Sequence, residues 1–162
     1  MRALTLKPQW AHAICWHTKR VENRSRPIPA ALIGTRIAIH AGRFVPGAWW
    51  DEVRAASGGT VPRGREPVPL IREDSDWHAP FAMRGPWEAD ARRMQCRAIV
   101  ATAVIRPWSN GRSELWGDPA AASWWALDEV HVLEQAIPMK RGQLGLWRLP
   151  EDIAGQLEVA LG

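Results

Sequence analysis

The segment from residue 19 to residue 26 carries the side chains whose types and spacing point most directly to chemistry. Its sequence, Lys-Arg-Val-Glu-Asn-Arg-Ser-Arg, places four cations around one carboxylate, that of Glu22. Alternate side chains of an extended segment share a face, so Glu22, Arg24 and Arg26 are predicted to lie together. Flanking guanidiniums keep such a carboxylate ionised, and with Lys19 just before it the set can read a base edge, hold a phosphate or polarise an amide. A surface salt-bridge cluster is the structural alternative.

Other kinds of catalytic chemistry have little support in the sequence. There is no Gly-rich phosphate loop and no Cys-x-x-Cys pair. Cys15 falls on the apolar face of a predicted helix and Cys96 adjoins a core strand, so both thiols are predicted to be buried and inert. His12 and His17 are five residues apart on that helix and face different directions, which argues against a metal pair. The sequence therefore predicts neither a metal nor a cofactor.

Charge and aromatic content favour a polyanionic partner. The net charge of the 162-residue chain is only +4, but residues 1–43 hold eight Lys and Arg against one acidic residue. The chain also has eleven Trp and no Tyr, and indole rings can stack on nucleobases as well as fill a core. These features are typical of a nucleic-acid-binding protein, with a solvated basic face as the alternative.

The elements that must position these residues can be read from apolar periodicity and from Pro and Gly. In the first half we predict a strand at 3–6, a helix from Pro8 to about Lys19, a strand at 36–41, a helix at 47–56 and a long loop at 57–80. In the second half we predict a buried central strand at 97–105 that Pro107 ends, a short Ala-rich helix around 119–126, strands at 130–133 and 143–149, and a helix after Pro150. Short strands with a few helices indicate an α+β fold with a small β-barrel and peripheral helices.

The chain has no run that approaches the roughly 20 apolar residues needed to cross a bilayer, so no transmembrane segment is predicted. It has two Cys and lacks a basic start followed by a long apolar run. A secreted disulfide scaffold is therefore not expected, and the predicted location is cytoplasmic.

Two parts of the sequence resemble the ASCH (activating signal cointegrator homology) family, which is related to PUA domains. Residues 3–42 are similar to the opening half of an ASCH domain, and residues 125–149 are similar to its closing strands. The family's motif is G-x-K-x-x-E-x-R, and Lys19, Glu22 and Arg24 occupy its three polar positions. This chain has His17 in place of the glycine, and Arg26 where many relatives carry Trp.

The resemblance implies a single PUA-like domain over residues 1–162, with a loosely matched insertion at about 43–96. It also implies a cleft, lined by the motif, that binds RNA or modified nucleobases. On this interpretation Lys19, Arg24 and Arg26 contact phosphates or base edges of single-stranded RNA or DNA, or of an extruded base. Trp10 and His40 are the candidate cleft walls, and Glu22 accepts a hydrogen bond from an exocyclic amine.

Two other functions remain open. Some small ASCH relatives are amidohydrolases of N4-acylated cytidine whose motif reads K-x-x-T, and here Glu22 stands at the Thr position. Lys19 and Glu22 would then be catalytic and direct a water onto an amide, whereas in a ribonuclease Lys19 and Arg24 would stabilise the phosphate charge. Alternatively the chain is a protein-interaction domain that recruits a partner through the 57–80 loop and its acidic C-terminal third.

Overall fold

The computed structural model describes residues 1–16, 19–43, 68–69, 81–82, 95–109 and 116–162. The elements are β1 (Arg2–Leu6), α1 (Pro8–Trp16), β2 (Val21–Arg24), a 3-10 turn (Ala30–Leu32), β3 (Arg36–Ala41), β4 (Val68–Pro69), β5 (Phe81–Ala82), β6 (Ala98–Pro107), β7 (Ser123–Pro138), β8 (Leu146–Arg148) and α2 (Glu151–Leu161). The predicted helix at 47–56 lies outside the described residues, as does the predicted loop at 57–80 apart from β4.

Six strands form one mixed sheet in the order β2-β7-β6-β3-β1-β8. β1 and β3 run parallel, with Leu4 beside Ile39, and every other neighbouring pair in this sheet is antiparallel. Parallel strands need a crossover between them, and here the crossover holds α1 and β2. The curved sheet forms a half-barrel, and β2 lies at one of its edges.

Alternating side chains of the central strands build a core on each face of the sheet. On the first face, Leu4, Ile37 and Ile39 pack with Ala11 and Ile14 of α1, and we call this the first core. On the second face, which we call the second core, the buried residues include Ala3, Ala38, Ile99, Trp147, Ile153 and Leu157. Each helix therefore covers one face, and burying a side chain such as Leu4 stabilises the fold by roughly 1.5–3 kcal/mol.

The central strand predicted at 97–105 is confirmed as β6, which lies between β7 and β3. Its residues 98–105 are all buried, and Pro107 is its last residue. The strands predicted at 3–6 and 36–41 and the helix after Pro150 are also confirmed. The last strand is shorter than the predicted 143–149, because only Leu146–Arg148 pairs with β1.

The prediction of a helix around 119–126 is wrong. Residues 119 and 120 form a turn, and β7 then runs without a break from Ser123 to Pro138, so it also contains the strand predicted at 130–133. Two aromatic residues explain the error. Trp124 and Trp125 are buried in different clusters, as neighbours on a strand must be, and this packing outweighs the helical propensity of the nearby alanines.

Within the part of the chain that the structure describes, neither helix has the length and apolar character needed to span a bilayer.

Candidate functional site

The edge strand β2 presents the motif residues to the margin of the first core. It pairs with the start of β7, with Glu22 opposite Trp125 and Arg24 opposite Ser123. Directly opposed residues of antiparallel strands share a face, so these four side chains lie on one side of the sheet. We call Trp10, Lys19, Glu22, Arg24 and Trp125 the Glu22 site.

Arg24 lies between a carboxylate and an indole ring. Its Nη1 is 3.6 Å from Oε1 of Glu22, and its guanidinium carbon is 5.4 Å from the centre of the Trp125 ring. The Trp125 indole is itself fixed, because its Nε1 donates a hydrogen bond of 3.0 Å to the carbonyl oxygen of Arg26. The side chain of Glu22 is only 9% exposed whereas that of Arg24 is 26% exposed, so the guanidinium reaches solvent at the mouth of the site.

Lys19 occupies the interior of the site. It is 3% exposed, its Nζ donates a hydrogen bond to the carbonyl oxygen of Val21, and the same Nζ lies 5.8 Å from the centre of the Trp10 ring. Arg20 links Lys19 to the end of α1, since its Nη1 donates to the carbonyl oxygens of Ile14 and Lys19, both at 2.9 Å. The bond to Ile14 also satisfies a carbonyl that the end of α1 leaves open.

Burial controls the acidity of Glu22. It raises the pKa of the carboxyl group above its ordinary value, and the charges of Lys19 and Arg24 oppose the shift only in part. The sequence predicted that flanking guanidiniums would hold this carboxylate ionised. The two cations do favour the ionised form, but removal of water disfavours it more, so the net shift of the pKa is upward.

The two cysteines differ in exposure: Cys96 is buried as predicted, whereas Cys15 is only partly buried. Burial raises the pKa of the Cys15 thiol to about 12, with a smaller opposing effect of Arg20. Cys96 is 5% exposed beside β6. A thiol with so high a pKa is not a nucleophile at neutral pH. Among the described residues, no three His, Cys, Asp or Glu side chains lie close enough to share a metal ion.

The two outlying candidate residues have different positions. Arg26 is exposed just beyond the end of β2, next to the Glu22 site. His40 is not part of that site: it is 1% exposed and meets Trp147 of the second core edge to face at 5.9 Å. The sequence did contain a sign of this position. Side chains alternate along β3, so His40 lies on the same face as Ala38, and Trp10 packs on the opposite face.

His40 belongs to a second buried polar cluster, which we call the Thr5 cluster. Nε1 of Trp147 donates to Oγ1 of Thr5 at 3.0 Å, Oγ1 lies 3.2 Å from Nδ1 of His40, and Nε2 of His40 lies 2.8 Å from the carbonyl oxygen of Met139. A carbonyl can only accept, so Nε2 carries the proton and Nδ1 accepts from the Thr5 hydroxyl. Burial lowers the pKa of His40, which keeps the ring neutral, although its bond to Met139 acts in the other direction.

The buried state of Lys19 and Glu22 bears on the alternatives left open by the sequence. Burial of the motif in mutual salt bridges would favour a protein-interaction domain, and these two residues are indeed buried. Arg24, however, remains partly exposed, and its 3.6 Å separation from Glu22 is longer than a hydrogen bond. The site thus keeps a cation that a ligand can reach.

The half-barrel with a helix on each face and a charged edge strand is an α+β architecture of the PUA-like class. The chain is similar in structure to the crystal structure of ASCH from Zymomonas mobilis, with a TM-score of 0.50, 15% sequence identity and coverage of 98% of this chain and 93% of that one. It is equally similar to a mutant of that protein, with a TM-score of 0.50, 15% identity and coverage of 98% and 96%. The chain has the ASCH fold, as the sequence resemblance predicted. No family model matches the sequence, and no curated protein matches it.

Proposed function

We propose that this protein binds single-stranded RNA or DNA, with one base, unpaired or extruded from a duplex, held in the Glu22 site. The observation that carries the proposal is the position of Arg24, which is stacked near Trp125, close to the buried Glu22 carboxylate, and open to solvent. The site has a carboxylate in its interior and a cation at its mouth. This arrangement suits a ligand whose nucleobase enters first, with its polar edge toward the carboxylate, and whose phosphate stays at the mouth.

The buried pair supplies the contacts to the base. Glu22 accepts a hydrogen bond from an exocyclic amine such as N4 of cytosine, and when protonated it also donates one. The indole rings of Trp10 and Trp125 belong to the same site, and each lies near a cation. Base recognition in other proteins combines edge hydrogen bonds with aromatic stacking in this way.

The exposed cations supply the contacts to the backbone. Arg24 is partly exposed and Arg26 is exposed at the end of β2, whereas Lys19 is too deep to meet a phosphate and is assigned to the base or to Glu22. Contacts between arginine and phosphate release counterions, so the affinity is expected to fall as salt rises.

A second candidate is an amidohydrolase of N4-acylated cytidine. It is favoured by the raised pKa of Glu22 beside Lys19, because a general base works best when its pKa approaches the operating pH. In that reaction Glu22 would take a proton from a water that attacks the amide carbonyl, and Lys19 would stabilise the developing oxyanion. The bond between the carbonyl carbon and N4 would then break as Glu22 returns the proton to N4, which releases cytidine and acetate. Release of acetate from N4-acetylcytidine by the wild type but not by Lys19→Ala would support it.

Binding tests the first proposal directly. A fluorescent single-stranded RNA and matched single- and double-stranded DNA are titrated with the protein at low and at physiological salt. We expect Arg24→Ala to weaken binding of the single strands by about tenfold, the loss of one charge-assisted contact of roughly 1.4 kcal/mol. Arg148→Ala removes an equal charge from the opposite edge of the sheet and serves as the control.

Glu22→Ala is expected to change the preference among bases more than the overall affinity. If binding does not depend on salt, or if Arg24→Ala and Arg148→Ala have the same effect, the proposed function is wrong.

A further inference from the structure

A groove of about 470 Å³ adjoins the Glu22 site where β2 and β7 meet the end of β6. We call it the Trp108 groove, and its lining residues include Pro27, Ile33, Pro107, Trp108, Ser123 and Trp124. Its volume is in the range of small-ligand pockets. Ile33 at its rim is 46% exposed, so the groove presents an apolar surface to solvent.

The groove and the candidate site border the same edge of the sheet, and both involve β2 and the start of β7. Ser123, in its lining, is the strand partner of Arg24, and Pro27 follows Arg26 in the chain. The two cations assigned to the backbone of a bound strand are therefore each next to a residue that lines the groove. Because β2 is an edge strand, a polyanion bound at the Glu22 site can reach the groove by passing around this edge beside Arg24 and Arg26.

Two tryptophans form an aromatic wall. The rings of Trp108 and Trp124 meet edge to face, with centroids 5.9 Å apart at 70°. Trp124 is buried and its Nε1 donates to the carbonyl oxygen of Asp118 at 2.7 Å, while Trp108 is partly exposed. Gly117 packs against the Trp124 ring so closely that a β-carbon there would lie 2.3 Å from it. One ring of the wall is thus held rigidly, and the other is accessible.

The motif strand itself holds this wall in place. The side-chain amide of Asn23 donates to the carbonyl oxygen of Trp116 at 3.0 Å and accepts from the backbone N–H of Asp118 at 2.9 Å. Asn23 lies between Glu22 and Arg24 but faces the other side of β2. Asn23 therefore holds the turn that contains Trp116 and Asp118, and the carbonyl of Asp118 holds Trp124. The same strand thus orders the site on one face and the groove wall on the other.

We propose that the Trp108 groove binds the nucleotide next to the one in the Glu22 site, with its base stacked on Trp108 and its phosphate near Arg26. The inference rests on the proposed function and sharpens it, because the ligand becomes a strand of at least two nucleotides rather than a free nucleoside. Asn23 is a positioning residue for this second base. Stacking on an accessible indole needs no particular base, so the groove adds affinity without adding sequence preference.

Chain length separates the two sites experimentally. Binding of cytidine monophosphate, of a cytidine dinucleotide and of an eight-residue cytidine strand is measured for the wild type and for Trp108→Leu, Trp108→Phe and Asn23→Ala. The wild type is expected to bind the dinucleotide about tenfold more tightly than the mononucleotide, the usual gain from one stacked base. Trp108→Leu should remove that gain and leave the mononucleotide affinity unchanged, whereas Trp108→Phe should keep most of it.

Asn23→Ala should reduce the gain only in part, since it loosens the wall without removing the stacking surface. Trp16→Ala serves as the control, because Trp16 is 43% exposed on α1 and does not line the groove. Thermal unfolding of each variant verifies that it is folded.

The two proposals fail in different ways. If Arg24→Ala weakens every ligand but Trp108→Leu alters none, the groove does not bind a nucleotide and the proposed function stands. If the wild type binds none of the three ligands and none of the longer RNA and DNA strands, the proposed function is wrong and the groove proposal falls with it. An equal loss for Trp108→Leu and Trp16→Ala would also overturn the groove assignment.

Discussion

The Glu22 site and the Thr5 cluster are two sets of buried polar side chains on opposite faces of one sheet, and they differ in charge. In the Thr5 cluster each donor from Trp147, Thr5 and His40 meets one acceptor, and the imidazole is neutral. In the Glu22 site a carboxyl group and two cations are buried or half-buried, and burial outweighs their mutual attraction. A neutral network with its hydrogen bonds formed stabilises the fold, whereas burying charged groups costs free energy and leaves charges that can serve a ligand.

The first way to test this contrast is to remove the central group of the Thr5 cluster. Thr5→Val keeps the shape but leaves the indole N–H of Trp147 and Nδ1 of His40 unpaired in the interior. Each such group costs roughly 1–3 kcal/mol, so the free energy of unfolding should fall by about 3 kcal/mol. Urea unfolding measures it. The matched control is Thr35→Val, whose hydroxyl donates to the carbonyl oxygen of Leu32 within a surface turn. If the free energy of unfolding falls equally in the two variants, the Thr5 cluster contributes no more to stability than a single surface hydrogen bond.

The second test crowds the same cluster instead of emptying it. A β-carbon at Gly142 would lie 2.1 Å from Oγ1 of Thr5 and 2.4 Å from Nδ1 of His40. Gly142→Ala should therefore lower the free energy of unfolding by about 2 kcal/mol, as overpacking of an ordered interior does. Gly155→Ala in α2 is the control: nothing lies within 4 Å of its β-carbon position, and it should stabilise the protein by about 1 kcal/mol. If Gly142→Ala leaves the free energy of unfolding unchanged, the backbone at residue 142 can shift without disturbing the hydrogen bonds of the Thr5 cluster.

The third test uses pH, because the two clusters contribute slopes of opposite sign. Burial lowers the pKa of His40 below 6.5, so the unfolded chain binds the proton first. The stability that this residue contributes is present above pH 6.5 and is lost as the pH falls through the lowered pKa. The measurement is urea unfolding between pH 7.5 and the acid limit of the fold, in a Glu22→Gln background that removes the other slope. A stability that stays constant or rises below pH 6.5 would contradict the assignment.

The smallest effect is expected from Glu22 itself. Its pKa is raised from 4.5, so its contribution to stability is fully present below that pH and is lost as the pH rises through the raised value. Glu22→Gln resembles the protonated form and should therefore be more stable than the wild type at neutral pH. The difference between the two unfolding free energies should vanish at low pH. A variant that is less stable at neutral pH would show that the carboxylate is needed as a counter-ion for Lys19 and Arg24.

Most of the fold could be predicted from local pattern, and the site only in part. Short apolar or alternating runs predict β1, β3 and β6, and Pro150 predicts the start of α2. The motif residues were located by their resemblance to ASCH domains, and Glu22 and Arg24 share a face as alternation requires. These features depend on a few consecutive residues, which is why they are readable from the sequence.

The remaining features depend on partners that are distant in the chain. The burial of Glu22 comes from pairing with Trp125, and the role of Asn23 comes from a turn 93 to 95 residues away. The Ala-rich segment before Trp124 has helical propensity, yet pairing with β2 and β6 makes it a strand. His40 is close to the motif in sequence but on the other face of the sheet, so proximity along the chain was a poor guide to the site.

The position of β2 at the edge of the sheet has a consequence for how the protein opens. Strand β2 has four residues and joins the sheet through β7, so it can detach while β1, β3, β6 and β7 stay paired. Such local openings need far less free energy than global unfolding, and they are visible as fast amide hydrogen exchange. Detachment would disperse the Glu22 site on one face and the support of Trp124 on the other in a single event. A nucleic-acid strand that contacts both faces would hold β2 in the sheet. It would therefore slow hydrogen exchange more at the β2 amides than at any other amides of the protein.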